Sequence, residues 1–68
     1  MKYYTLLSRE NKFSDWNIEF GDYDKDVVKA ELESYVDGDY KKSNLKIICT
    51  EPEQYEIYKA VFILNGGS

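Results

Sequence analysis

The length of the chain, 68 residues, constrains its fold more than any other feature of the sequence. It is about half the length of a typical domain, so there is room for one small hydrophobic core. A chain this short buries only about 60% of the surface that its unfolded form exposes. Seven Tyr, three Phe and one Trp offset part of this deficit, because each ring carries a large apolar area. We therefore expect a single small domain over 1–68, with 66–68 as a frayed tail.

The residue types that the chain lacks exclude several classes of enzyme and metal protein. It contains no His and a single Cys, Cys49. Without His there is no Ser-His-Asp or Cys-His catalytic group and no imidazole metal site. One Cys cannot form an internal disulfide framework or a four-cysteine zinc site. We expect a protein that is not an enzyme, holds no metal or cofactor and works through its surface. Because Cys49 alternates with Leu45 and Ile47, we expect it to be buried.

The apolar segments are too short to place the chain in a membrane. The longest run, Ala60 to Leu64, is far shorter than a spanning helix requires. The first residues, Met1-Lys2-Tyr3-Tyr4, do not resemble a signal peptide. These features, together with the lone cysteine, predict a cytoplasmic protein with no membrane partner.

The first third of the sequence predicts a β-hairpin. Residues 3–8 (YYTLLS) are rich in strand-forming types. In the next apolar segment Trp16, Ile18 and Phe20 alternate with polar residues, which predicts a half-buried strand with these three side chains on one face. Gly21 ends that strand.

Two helices and a third strand are predicted in the remainder. Residues 22–37 have helical spacing and Gly38 follows, where a left-handed C-terminal cap is expected. Residues 45–50 (LKIICT) predict a strand. Thr50 and Glu53 have the spacing of a capping box, which favours a second helix over 51–64. A fourth strand is the alternative there, because Tyr, Ile, Val and Phe also form strands.

The resulting order is β-β-α-β-α, and we expect an α+β fold. A right-handed crossover through the first helix predicts a three-stranded sheet with two helices on one face. Whether the third strand lies beside the first or the second is left open by the sequence.

The acidic residues before and within the first predicted helix have the spacing of a calcium-binding loop, and a plain helix start is the alternative. Asp22, Asp24, Asp26 and Glu33 have the spacing of calcium-loop ligands. However, Val27 stands where such a loop needs Gly for its sharp turn. The segment also has a helical pattern, and a helix cannot wrap an ion. We therefore favour an acidic helix N-terminus and expect no metal.

Acidic residues are concentrated around the first predicted helix. Residues 22–39 contain seven acidic and two basic side chains, a net charge of −5, whereas the rest of the chain has six acidic and seven basic ones. Such a surface attracts basic surfaces and can imitate a nucleic-acid backbone. The alternative is a solvated helix face that aids solubility. The residues predicted to contact a partner are Asp22, Tyr23, Asp24, Asp26, Glu31, Glu33, Asp37, Asp39 and Tyr40.

Aromatic residues on the last helix suggest a second interface. Tyr55, Tyr58 and Phe62 follow one another at i, i+3 and i+7. Tyr58 is assigned to the core, whereas Tyr55 and Phe62 are candidates for a contact that joins two copies of the chain. A structural or assembly module that dimerises through this helix is the alternative to an inhibitory binding protein. Direct nucleic-acid binding is not expected, because few basic residues surround the aromatic ones.

Several segments of the sequence are similar to those of small proteins encoded by phages and prophages. The similarity lies in YYTLLSRE, in Trp16, in Phe20 to Asp24 before a charged helix, and in Leu45 to Ile48. It implies an inhibitor of a host defence complex or nucleic-acid-handling protein, anti-CRISPR proteins among them. In that case the acidic helix would face a basic surface of the target, and the chain would be a monomer or a homodimer.

Overall fold

The computed structural model describes residues 1–67, and it confirms an α+β fold with the element order β-β-α-β-α. The predicted helix near the C-terminus is confirmed and the fourth-strand alternative is wrong. The elements are β1 (Tyr3–Ser8), β2 (Asn17–Asp22), α1 (Lys25–Asp37), a 3-10 turn (Lys42–Asn44), β3 (Leu45–Thr50) and α2 (Gln54–Leu64).

The sheet places β1 at its centre. The strand order is β2-β1-β3, and both pairings are antiparallel. This settles the position of the third strand, which lies beside the first. Because β1 is central, its consecutive residues Leu6 and Leu7 are both fully buried. Consecutive strand residues point to opposite faces, so both faces of the sheet are covered.

The two helices cover opposite faces of this sheet. Leu6 packs in one core cluster with Val28 of α1 and Leu45 of β3. Thr5, which shares the other face with Leu7, lines a groove together with Ile57 of α2. The expectation of two helices on one face is therefore wrong. The crossover rule governs only α1, which joins β2 to β3; α2 follows an edge strand and covers the side on which Leu7 lies.

A β-bulge in β2 changes which side chains share a face. Leu6 pairs with Phe20 and Leu7 pairs with Ile18, so the pairing passes over Glu19. Phe20 packs against the α1 core cluster, whereas Ile18 lines the groove beside α2. The predicted single face for Ile18 and Phe20 is wrong, because one extra residue in a strand shifts the alternation that follows it.

Helix α1 ends at Asp37 as predicted, but the left-handed residue after it is Asp39 rather than Gly38. Gly38 has an ordinary negative φ of −90°, and Asp39 adopts the left-handed conformation at φ 79°. The amide of Tyr40 donates to the carbonyl of Tyr35 (3.1 Å), and that of Asp39 to the carbonyl of Val36 (3.2 Å). These two bonds define a Schellman motif, in which glycine is the usual left-handed residue.

Helix α2 ends in the same motif with a glycine in that place. Gly66 has a φ of 94°, and its amide donates to Ile63, while the amide of Gly67 donates to Phe62. Gly66 and Gly67 are therefore hydrogen-bonded to the end of α2, and the frayed tail stays a prediction. Ser68 lies outside the described residues.

The start of α2 and the exposure of Cys49 also differ from expectation. The helix begins at Gln54 rather than at residue 51. Thr50 is the last residue of β3, and its hydroxyl donates to the carbonyl of Glu51, so the predicted capping box is not formed. Cys49 is exposed, because β3 is an edge strand and α1 lies mainly across β1 and β2.

Candidate functional site

The first acidic residues of the 22–39 segment have local structural roles. The Asp22 carboxylate accepts a hydrogen bond from the amide of Asp24 (2.8 Å). The Asp24 carboxylate caps α1 by accepting from the amide of Asp26 (2.9 Å). Asp26 lies in the first turn, where negative charge suits the helix dipole. The backbone is helical from Lys25 onward, so this segment does not form the loop that a calcium ion requires.

Three acidic side chains lie on the outward side of α1. Its inward side carries Val28, which is fully buried. At 100° per residue, Asp26, Glu33 and Asp37 lie on the opposite side, and all three are exposed. The Glu33 carboxylate is 3.9 Å from the Lys42 ammonium, an exposed ion pair that contributes little to stability. Three of the nine residues predicted to contact a partner therefore form the acidic surface on the outward side of α1.

Two acidic residues lie at the C-terminal end of α1, where the helix dipole makes negative charge unfavourable. Asp37 is the last helical residue and Asp39 follows two positions later. The last turn reads Ser-Tyr-Val-Asp and contains no basic residue. Acidic groups at a helix C-terminus interact unfavourably with its dipole, and the left-handed conformation of Asp39 adds a backbone cost. Unlike those of Asp22 and Asp24, the carboxylates of these two residues form no hydrogen bond or ion pair within residues 1–67.

A polar groove of about 550 Å³ adjoins this end of the helix. Asp39, Tyr40 and Lys41 form part of its lining, and Glu19 forms another part. The bulge turns Glu19 toward α1, where its carboxylate accepts hydrogen bonds from the hydroxyls of Ser8 and Tyr35. Partial burial, and then the hydrogen bond to Glu19, raise the pKa of Tyr35 above its usual value.

Glu19 was not among the residues expected from the sequence. The strict alternation of β2 placed it on the solvent side, away from the apolar residues. Only the bulge brings it to the α1 side, and nothing in the sequence of β2 marks the position of that bulge. A polar residue within an amphipathic strand therefore indicates only weakly that its side chain lines a groove.

The remaining predicted contact residues lie around the same helix. Tyr40 packs edge-to-face on Tyr35 at a ring distance of 5.2 Å, and Tyr23 packs in the same way on Tyr3 at 5.0 Å. Both outer rings, Tyr40 and Tyr23, keep about half of their surface exposed. Glu31 is half-buried and lies close enough to Tyr35 to raise its pKa further. The structure thus brings Tyr40 to the C-terminal end of α1 and leaves Tyr23 at the other end.

The second predicted interface lies on a different face of the protein. Tyr55 and Phe62 are 67% and 61% exposed on the outer side of α2. Tyr58, which was assigned to the core, is 55% exposed, so that assignment is wrong. Because α2 lies across the sheet from α1, the acidic surface and the aromatic surface are separate.

Replacing Asp39 with Gly is expected to stabilise the fold by about 1 kcal/mol. Glycine adopts the left-handed conformation freely, and the change also removes a negative charge from the helix C-terminus. Thermal unfolding followed by circular dichroism measures the effect, which corresponds to a rise of about 4–8 °C in Tm.

The matched control for this change is Asp39→Ala. It removes the same charge but keeps a side chain in the left-handed conformation, so it is expected to lack the part of the gain that comes from the backbone conformation. A glycine variant no more stable than the alanine variant would contradict the assignment of strain to this residue.

Comparisons of the sequence with protein-family models, curated proteins and solved structures found no match. Neither helix within residues 1–67 is long and apolar enough to cross a membrane. In the same range, no group of three or more His, Cys, Asp or Glu side chains is arranged to hold a metal ion.

Proposed function

We propose that this chain is a protein-binding module that docks the C-terminal half of α1 on a basic surface of a partner protein. The contact residues are Glu33, Asp37, Asp39 and Tyr40. The observation that carries the proposal is the position of Asp37 and Asp39, at the helix end where acidic groups cost stability. Local departures from what stabilises a fold are concentrated at functional sites.

The geometry of these residues suits a charged contact with an aromatic anchor. Glu33 and Asp37 are one helical turn apart on the outward side, and Asp39 follows directly. Tyr40 is 42% exposed and rests on Tyr35, so it offers a positioned ring at low entropic cost. Opposite charge across such an interface raises the association rate and lowers the number of wrong partners.

The class of partner follows from the charge and from the similarity to phage-encoded proteins. Basic surfaces of this kind occur on proteins that handle nucleic acids, because they bind phosphates. An acidic protein that occupies such a surface excludes the nucleic acid. The specific form of the proposal is therefore an inhibitor of a host defence or nucleic-acid-handling protein, of the anti-CRISPR type or a similar one.

Capture from a bacterial lysate tests this proposal with two matched triple variants. The first variant carries Glu33→Gln, Asp37→Asn and Asp39→Asn. The control carries Glu51→Gln, Glu53→Gln and Glu56→Gln, which remove the same number of charges beside and within α2. We expect the immobilised wild-type chain and the control to retain the same partner, and the first variant to lose it.

Two further measurements complete the test, namely the dependence of retention on salt concentration and a competition assay with nucleic acid. Retention should weaken steeply between about 0.1 M and 1 M salt, because the screening length falls from about 10 Å to about 3 Å. The retained protein should also lose nucleic-acid binding when the wild-type chain is added. Equal retention by the two triple variants would contradict the proposal, as would retention that salt does not affect.

A further inference from the structure

The outer side of α2 is largely apolar and exposed, with the charged Lys59 among its apolar residues. Its 11 residues contact the sheet through one side only, on which Ile57 and Val61 are half-buried. An amphipathic surface helix normally carries polar residues on its other side. Here that side holds large apolar residues with the following exposed fractions: Tyr55 67%, Tyr58 55%, Phe62 61% and Ile63 53%.

We propose that a second copy of this chain covers this surface, with the two α2 helices packed antiparallel about a two-fold axis. The aromatic surface is defined as Tyr55, Tyr58, Phe62 and Ile63. In a two-fold interface each copy contributes the same patch. An antiparallel alignment then sets Tyr55 of one copy near Phe62 of the other.

The area of the aromatic surface is that of a weak dimer. With about 200 Å² for each side chain, the exposed fractions above give about 470 Å² per copy. Two copies would therefore bury about 900 Å², which lies between incidental contacts, below about 800 Å², and stable interfaces, above about 1,200 Å². A patch of this size is comparable to the largest apolar patch of a typical monomer, and such patches are often functional.

The charges along α2 favour the antiparallel arrangement. Glu53 and Glu56 lie at its N-terminal end, whereas the sequence after Lys59 is uncharged. An antiparallel pair places each acidic end against the uncharged end of the other helix, and it opposes the two helix dipoles. A parallel pair would instead bring both acidic ends together.

The proposed dimer does not bring the two acidic surfaces together, because of the position of α1. Because α1 and α2 cover opposite faces of the sheet, the two −5 segments point away from the two-fold axis. The dimer inference does not rest on the proposed function. If both hold, one dimer presents two acidic surfaces, and a partner with two binding sites would be held more tightly than by a monomer.

Sedimentation velocity over a concentration series tests the dimer. We expect the wild-type chain to dimerise with a Kd in the micromolar range, and the variant Tyr55→Ser/Phe62→Ser to dimerise at least about 10-fold more weakly. The control is Phe13→Ser, which removes an aromatic side chain that is 87% exposed outside α2. Circular dichroism of each variant confirms folding, and Ile63→Gln provides a second, milder change in the aromatic surface.

Crosslinking tests the orientation of the helices in a Cys49→Ser background. A chain with Tyr55→Cys is mixed with a chain carrying Phe62→Cys, and disulfides are allowed to form. Antiparallel packing gives mainly the mixed product, whereas parallel packing gives the two like products and would overturn the proposed arrangement. A wild-type chain that stays monomeric to about 1 mM would overturn the dimer, as would a dimer that Tyr55→Ser/Phe62→Ser and Ile63→Gln leave unchanged.

Discussion

Replacing Leu7 with Ala is expected to lower the free energy of unfolding by about 2–5 kcal/mol. Leu7 is fully buried on the sheet face that α2 covers, so the smaller side chain leaves a cavity that the neighbouring groups only partly fill. A chain of this length has a total stability of about 3–10 kcal/mol. The variant should therefore be largely unfolded or melt far below the wild-type chain. Urea unfolding followed by circular dichroism measures the loss.

Two matched variants make the test specific for the position of α2. Leu6→Ala, on the α1 side and equally buried, should cost a similar amount. Ile18→Ala lies on the same side as Leu7 but is 42% exposed, and it should cost about 1 kcal/mol or less. If Leu7→Ala were as mild as Ile18→Ala, α2 would not cover that face.

Replacing Asn65 with Ala is expected to cost about 1–3 kcal/mol and to loosen the C-terminal end of α2. The Asn65 side chain accepts a hydrogen bond from the amide of Trp16 (2.6 Å) and donates to its carbonyl (3.2 Å). These two bonds join the end of α2 to the start of β2, and their loss leaves two partly buried backbone groups without a partner. Trp16 is the only tryptophan and is 8% exposed, so its fluorescence emission reports the change directly.

The control at the other end of α2 is Gln54→Ala. The Gln54 side chain donates only to the exposed hydroxyl of Tyr58 within the same helix. This variant should change stability by less than about 0.5 kcal/mol and leave the emission of Trp16 unchanged. A fluorescence change in Gln54→Ala equal to that in Asn65→Ala would show that Asn65 has no special role in docking the helix.

The sequence was sufficient to predict the elements and their order, because each element has its own local pattern. The apolar residues of α1 recur at helical spacing, and the short runs in β1 and β3 are rich in strand formers. The local pattern does not indicate the face of the sheet on which α2 packs. Both leucines of β1 are apolar, and only its central position in the sheet, a long-range property, makes both of them core residues.

Two further differences come from shifts of a single residue. The bulge at Glu19 reverses the faces of the residues on its two sides. The left-handed position of α1 falls on Asp39 rather than on the preceding Gly38, because Gly38 is the C-cap and keeps a negative φ. A capping pattern marks the neighbourhood of a helix end more reliably than the exact residue.

The sequence predicts that the candidate site is acidic, but it does not indicate which of the acidic residues belong to it. The density of acidic residues in 22–39 is a property of the sequence alone. Their different roles are not, because Asp24 caps α1 and Asp22 stabilises the turn before it, whereas Asp37 and Asp39 act against the helix dipole. Assigning these roles requires the helix boundaries, and these depend on the surrounding packing.

The variant Asp37→Asn/Asp39→Gly tests most directly whether the acidic end of α1 is a binding surface retained at a cost in stability. Thermal unfolding and retention of the protein captured by the wild-type chain are measured on the same preparation. We expect Tm to rise by about 4–8 °C for each kcal/mol gained, and the partner to be lost. A variant that is more stable and still retains the partner would contradict this role, as would a wild-type chain that captures no protein in a salt-dependent way.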